Sequence, residues 1–163
     1  MEPDMADRQE LERRFWKHLD DDRTVLLGAE GVTPRPMTAI AEHDRAPIWF
    51  FTAADTELGT ALDQTDRLQA TATFAAKDHD LFATLGGTLV ADNDPAVIER
   101  LWNPFIAAWF EGKDDPKLRL LRMDAAEGQV WLNENSMLAG IKMLLGSDPK
   151  ESYGDKTGDV DLH

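Results

Sequence analysis

The fold is decided by two neighbouring segments, Arg35-Pro36-Met37-Thr38-Ala39-Ile40 and Ile48-Trp49-Phe50-Phe51-Thr52. The first has extended character, and the second is an apolar segment rich in aromatic residues, which favours a strand. Asp44 and Pro47 lie between them and indicate a turn. The sequence therefore predicts two consecutive strands joined as a β-hairpin.

The side chains of this hairpin have an unusual chemical mixture. Because side chains alternate across a strand, Arg35 and Met37 share one face of the first strand. In the second strand, Trp49 and Phe51 lie on one face and Thr52 lies on the other. Aromatic rings and thioethers pack on the faces of flat rings, and guanidinium and hydroxyl groups bind phosphate. The combination suits an electron-poor ring with a phosphate tail and suggests a flavin.

Composition limits the size and the partners of the protein. The chain has 163 residues, 42% of them hydrophobic, which is enough for one well-formed core. We expect one domain over residues 7–146, a disordered N-terminus over residues 1–6 and an acidic disordered tail over residues 147–163. The net charge of −14 disfavours nucleic acid and anionic membrane surfaces as partners. The absence of cysteine and of a long apolar run favours the cytoplasm.

Helices and strands can be placed along most of the chain from periodicity and capping residues. Helical spacing predicts an opening helix from Asp7, a short helix capped by Asp55 or Thr56, helices opened by Asp94-Pro95 and Asn103-Pro104, and a last helix through Met137 and Leu145 to Gly146. Besides the hairpin, strands are predicted over Thr24–Gly28, Leu68–Ala76, Leu81–Ala91, Leu118–Asp124 and Gln129–Leu132. Gly86-Gly87 is expected to form a bulge or bend, and residues 125–128 to turn the last two strands into a hairpin. These elements predict an α+β fold, a six- to seven-stranded antiparallel barrel with flanking helices.

The order of several short motifs resembles a known family. Arg35-Pro36-Met37 is followed by Trp49-Phe50-Phe51-Thr52, by Asp55-Thr56, by Gly86 and finally by Val130-Trp131. This order resembles the bacterial general stress proteins of the pyridoxamine 5'-phosphate oxidase-like split barrel family, and the similarity spans the chain from Arg8 to Gly146. The resemblance implies a split β-barrel, a homodimer and an FMN site in each of two clefts at the subunit interface.

The resemblance also implies which residues bind the flavin. Arg35 would balance the phosphate, Thr52 and Thr56 would donate hydrogen bonds, and Trp131 would cap the ring from the second subunit. The full set of expected cofactor-binding residues is Arg35, Pro36, Met37, Thr38, Trp49, Phe51, Thr52, Thr56 and Trp131. Oxidases of the family have basic, phosphate-binding residues where this chain has Glu57 and Leu58, so FAD is an alternative to FMN.

Several functions stay open at this level. We expect a flavin-binding general stress protein, either a flavin-dependent oxidoreductase without vitamin B6 oxidase activity or a non-catalytic barrel that senses or sequesters a small ligand. Oxidation of vitamin B6 is disfavoured because residues 130–146 offer only Lys142 to grip the phosphate of that substrate. Haem binding is the least favoured of these functions. No metal site is predicted, since the four histidines never have the spacing of paired ligands on one element.

Overall fold

The computed structural model describes residues 5–133 and 157–162. The strands are β1 Thr24–Ala29, β2 Val32–Thr38, β3 Ile40–Ala41, β4 Ile48–Ala53, β5 Leu68–Ala75, β6 Leu81–Ala91, β7 Leu118–Leu132 and β8 Thr157–Asp161. The helices are α1 Met5–Asp22, α2 Glu57–Asp63, α3 Pro95–Leu101 and α4 Pro104–Ala107.

All eight strands form one antiparallel sheet that curls into a split barrel. Their order is β2-β1-β5-β6-β7-β4-β3, and β8 also pairs with β7. The two ends of this order, β2 and β3, are separated in the chain only by Ala39, so the sheet must bend round until its ends approach each other. The predicted α+β split barrel is confirmed.

Local sequence signals explain most of the elements. Exposed and buried residues alternate along β5, as its period of two predicts. The side chain of Thr56 caps α2, and those of Asp94 and Asn103 cap α3 and α4. The opening helix, the first strand and the short helix after Thr56 are confirmed. The predicted hairpin is confirmed only at Ile40–Ala41, which pairs with β4, because residues 35–38 pair with β1 instead. The helix opened by Asn103-Pro104 is short and ends at Ala107.

The bulge predicted at Gly86-Gly87 is confirmed. The register between β6 and β7 shifts at this point, where Gly86 is opposite Glu127 and Gly87 is opposite Ala125. A Cβ atom on Gly87 would lie 2.4 Å from the backbone oxygen of Asp124. The two strands can approach this closely only because residue 87 has no side chain.

The predicted final hairpin is wrong. Residues 118–132 form a single 15-residue strand, β7, which pairs with β6 along most of its length. Gly128, the residue that suggested a turn, instead allows close packing, since a Cβ atom there would lie 2.8 Å from the side chain of Leu85 and 3.0 Å from the oxygen of Thr84. On its other edge β7 pairs first with β4 and then with β8.

The strand β8 was not predicted. Residues 147–163 were expected to form a disordered tail, and this is wrong for Thr157–Asp161, which pair with β7. Val160 and Leu162 are buried in the main core, and the backbone of β8 bonds along the edge of β7. The predicted helix from Met137 to Gly146 lies outside the described residues.

The buried residues form two hydrophobic clusters. The larger one fills the barrel and extends to the apolar face of α1, where the ring centroids of Phe15 and Phe74 are 6.4 Å apart. The smaller cluster lies on the outside of β4 and β7, where α3 covers Trp49. Within residues 5–133 and 157–162, no helix has both the length and the apolar character needed to cross a membrane.

Candidate functional site

A cleft of about 630 Å³ opens beside the end of β4. Its walls come from the end of α1, from β2 and β3, from β4 with the turn after it, and from α4 with the segment that follows. It is lined by Arg23, Pro36, Thr38, Ile40, Phe51, Thr52, Ala53, Thr56, Asn103, Phe105, Ile106, Trp109 and Phe110. Such a concave, mostly apolar site with a few polar groups is typical of small-molecule binding.

The charge of the cleft differs from that of the whole protein. Of the described residues that line it, Arg23 is the single charged one, and no carboxylate is among them. The chain as a whole has 31 acidic residues and a net charge of −14. A more open depression of about 780 Å³ elsewhere on the sheet is lined by Glu30 and Glu127. The cleft beside β4 is therefore the depression suited to an anionic ligand.

Two hydroxyl groups at one end of the cleft bond to each other. Thr56 Oγ1 donates to the oxygen of Ala53 at 2.8 Å and accepts from the nitrogen of Gly59 at 3.1 Å. Because a hydroxyl has one proton, the 2.9 Å contact between Thr52 Oγ1 and Thr56 Oγ1 must use the proton of Thr52. Both protons are thus committed within the protein, and Thr52 can donate to a ligand only by giving up its bond to Thr56.

The predicted phosphate-binding arginine has an acidic partner. Arg35 Nη2 lies 3.3 Å from Glu57 Oε2, and the other oxygen of Glu57 accepts from the nitrogen of Thr33 at 3.4 Å. Arg35 Nε is buried and has no hydrogen-bond partner among the described residues. Glu57 therefore offsets the positive charge of Arg35 at the first turn of α2.

The structure brings together five of the nine predicted cofactor-binding residues. Pro36, Thr38, Phe51, Thr52 and Thr56 all line the cleft. The other four are Arg35, paired with Glu57; Met37, packed against the main core; Trp49, buried in the smaller cluster; and Trp131, near the far end of β7. Flavin binding by any of the nine stays a prediction.

Sequence reasoning missed the aromatic wall of the cleft. The spacing of Trp109 and Phe110 predicts packing against the sheet or a partner subunit, and Phe110 does pack against the smaller cluster. Phe105 and Trp109 are 84% and 83% exposed in the single chain. Both line the cleft. Their apolar character looked like a helix face, but α4 ends at Ala107, so the following residues leave the helix and turn toward the opening. Arg23 was missed because no motif marked it.

Ion pairs fasten the elements that surround the cleft. Arg100 on α3 makes two bonds to the carboxylate of Glu42, at 2.7 and 2.8 Å, and so ties α3 to the end of β3. Arg119 on β7 bonds to Asp63 at the end of α2 at 3.0 and 3.2 Å. The carboxylates of Glu42 and Asp63 have lowered pKa values because of these guanidinium bonds. The helices on both sides of the cleft are thereby held to the sheet.

A separate group of possible metal ligands lies on the surface. Ligand atoms of His18, Asp78 and Asp80 are within 4.8 Å of one another. His18 is on α1 and the two aspartates are in the turn between β5 and β6, so spacing along one element could not reveal the group. No described lining residue of the cleft belongs to it.

The comparisons with known proteins agree on one family. The sequence profile described as pyridoxamine 5'-phosphate oxidase like matches residues 10–153. No curated protein matches the chain significantly.

Solved structures resemble the fold over most of its length. A general stress family protein of Xanthomonas campestris pv. campestris is 55% identical, with a TM-score of 0.74 over 85% of this chain and 97% of that one. The general stress FMN/FAD binding protein of Xanthomonas citri is 52% identical, with a TM-score of 0.74 over 82% and 96%. General stress protein 26 of Jannaschia sp. CCS1 is 26% identical, with a TM-score of 0.78 over 94% and 99%.

Proposed function

The chain belongs to the pyridoxamine 5'-phosphate oxidase-like family, and from this premise we propose that it is a general stress protein that binds FMN or FAD in the cleft beside β4. The main support is the lining of that cleft, which combines exposed aromatic rings with one cation and no described carboxylate. Aromatic rings offer stacking area to an isoalloxazine, and the cation offers charge to a phosphate. The Xanthomonas citri relative is described as FMN/FAD binding.

The residues fit a flavin in two distinct zones. Phe105, Trp109 and Phe110 would contact the ring system, while the hydroxyl groups of Thr38, Thr52 and Thr56 provide the polar part of the lining. A bound flavin would supply the redox chemistry, and the protein would contribute its position and the surrounding charges. We expect a homodimer, because a second subunit could cover Phe105 and Trp109, which are exposed in the single chain.

The test is a titration of the purified protein with FMN, FAD and riboflavin, followed by absorbance and flavin fluorescence. We expect saturable binding with one flavin per chain, together with a dimer in sedimentation velocity. A protein that binds none of the three flavins would contradict the proposal. A flavin-binding monomer would contradict only its dimeric part.

Glu57→Gln shows whether Arg35 can act as a phosphate ligand. The substitution removes the charge that Arg35 now faces at 3.3 Å, but Arg35 is not among the residues that line the cleft, so we expect both FMN and riboflavin to bind within about twofold of the wild type. A gain of about threefold to tenfold for FMN alone would show that Arg35 reaches the phosphate. Glu99→Gln is the matched control, because Glu99 pairs with Lys113 outside the cleft. An equal effect of both substitutions on FMN affinity would mean that the effect comes from the change in net charge alone.

A second candidate function is a binder without turnover. No described lining residue is a His, Asp, Glu, Lys, Tyr or Cys, so the cleft has no side chain suited to general acid or base catalysis. Anaerobic mixing of the flavin-loaded protein with NADH or NADPH separates the two functions. Fast bleaching of the flavin absorbance supports an oxidoreductase, whereas a stable oxidised spectrum supports a sensing or sequestering protein. In neither case do we expect oxidation of pyridoxamine 5'-phosphate.

A further inference from the structure

Arg23 occupies the end of the cleft opposite to the predicted phosphate site. The oxygen of Arg23 accepts from the nitrogen of Ala39, and the neighbouring Thr24 is opposite Thr38, so Arg23 lies at the end of β2. Glu57 and α2 lie at the other end, beside Arg35. Ala39 is four positions after Arg35, which is about 13 Å along an extended chain. The two ends are therefore far enough apart to contact different parts of one ligand.

The side chain of Arg23 is held in place but retains most of its donors. Its Nε donates to the oxygen of Asp20 at 3.0 Å, which leaves the two terminal nitrogens of the guanidinium without a described partner. No described carboxylate forms an ion pair with it, although three aspartates precede it in the sequence. By contrast, the charge of Arg35 is already offset by Glu57.

Two polar groups of the same cleft can assist Arg23. The hydroxyl of Thr38 has no partner among the described residues. Asn103 caps α4 through Oδ1, which accepts from the nitrogens of Phe105 and Ile106 at 2.9 and 3.0 Å. Its amide nitrogen remains as a donor on the cleft wall. A planar guanidinium with nearby hydroxyl and amide donors is suited to a phosphate or carboxylate.

We propose that Arg23 is the anion-binding residue of this cleft. Arg35 is less suited to bind an anion, because Glu57 already offsets its charge. The inference rests on the proposed flavin site and names the group that the site uses for charge. The anion is either the phosphate of the flavin or an anionic group of a second ligand beside the ring. Its chemistry is the same in both cases, and the following experiment distinguishes the sources.

The backbone of Arg23 provides a variant that separates binding from stability. Its φ angle is 61°, in the left-handed region that favours glycine at the end of a helix. Arg23→Gly should therefore keep the unfolding midpoint of the wild type or raise it, while removing the guanidinium. Arg23→Gln gives a second variant of similar length, and Arg23→Lys tests whether a point charge rescues binding.

The first measurement compares FMN with riboflavin, which has no phosphate. If Arg23 binds the flavin phosphate, Arg23→Gln and Arg23→Gly should weaken FMN binding about tenfold and leave riboflavin within about twofold. Arg67→Gln is the matched control, because Arg67 is exposed and outside the cleft lining yet removes the same charge. An equal loss with Arg67→Gln would overturn the proposal.

The second measurement covers the other source of the anion. If both flavins bind Arg23→Gln as they bind the wild type, the flavin-loaded proteins are titrated with inorganic pyrophosphate and the shift of the flavin absorbance is recorded. A loss of pyrophosphate affinity of about tenfold in the variant supports a second anionic ligand. The proposal is overturned if the variant differs from the wild type in neither measurement. If the wild type binds no flavin, calorimetric titration with pyrophosphate still tests Arg23, so failure of the flavin site and failure of Arg23 are distinguishable.

Discussion

The two faces of β4 differ in how completely they are covered. Ile48 and Phe50 point into the barrel, where both are fully buried in the main core. Trp49 and Phe51 point outward to the smaller cluster, which α3 covers only in part. A single strand of six residues therefore stabilises the barrel with one face and forms the floor of the cleft with the other. Aromatic residues at successive positions of one strand therefore have separate roles.

The outer face becomes less covered toward the cleft. Trp49 is 6% exposed beneath α3, Phe51 is half-buried and contacts Trp102 with ring centroids 6.5 Å apart, and Trp109 is 83% exposed. Large exposed aromatic rings beside a cleft are a typical feature of ligand-binding or subunit surfaces. On the inner face, Ile48 and Phe50 are fully buried, and only Thr52, near the end of the strand, lines the cleft.

The largest expected effect tests this difference in burial. Phe50→Ala should lower the free energy of unfolding by about 3–5 kcal/mol, because it leaves a cavity in a closed core. Phe51→Ala, at the next position on the outer face, should lower it by about 1–2 kcal/mol. Urea unfolding followed by tryptophan fluorescence measures both. Equal losses at the two positions would show that the faces are equivalent for stability.

The alternation that separates the two faces could be predicted from the sequence. The alternation of side chains between the two faces of β4, the period of two along β5, and the caps at Thr56, Asp94 and Asn103 follow from local chemistry and are all confirmed. Such signals need only neighbouring residues, so a sequence can reveal them. The bulge at Gly86-Gly87 belongs to this class because paired glycines within a strand have few other uses.

The errors concern contacts between distant parts of the chain. Gly128 suggested a turn, but its role is to admit the side chain of Leu85 from β6. Thr157–Asp161 looked too polar to fold, yet β7 provides an edge on which Val160 is buried. Arg23 became a candidate only when the curled sheet placed it in the cleft. Each of these depends on which strands become neighbours, and local patterns do not contain that information.

A smaller loss of stability is expected at Thr56, the residue that caps α2 after the end of β4. Thr56→Ala removes the cap of α2 and the acceptor for Thr52, and should lower the free energy of unfolding by about 1 kcal/mol. Thr56→Ser keeps the hydroxyl and should stay close to the wild type. Urea unfolding of the two variants provides the measurement. If the Ala variant is as stable as the wild type, the hydroxyl is available to a ligand and does not serve the fold.

The exposed wall of the cleft should matter for binding and not for folding. Trp109→Ser should change the free energy of unfolding by less than about 0.5 kcal/mol, because the side chain is 83% exposed. It should weaken FMN binding about twofold to tenfold, since a stacked ring contributes about 0.5–1.5 kcal/mol. Leu26→Ser is the control, an exposed apolar residue on β1 outside the cleft lining. A large loss of stability in Trp109→Ser would show that Trp109 stabilises the fold, as the buried residues of the inner face do.

The smallest effect concerns the surface of α1, the helix whose apolar side belongs to the inner core. Hydrogen bonds from Arg13 and Arg14 lower the pKa of Glu10 from 4.5 to about 2. A carboxylate with a lowered pKa in the folded state contributes stability above pH 4.5, and this contribution is lost as the pH falls toward about 2. The urea midpoint of the wild type should therefore exceed that of Glu10→Gln slightly at pH 7, and the two should converge between pH 4.5 and 2. Because these groups are exposed, the difference should be smaller than for any substitution on β4. A gap that stays constant down to pH 2 would mean that charge on Glu10 does not stabilise the helix, and that α1 is held to the barrel by its apolar contacts alone.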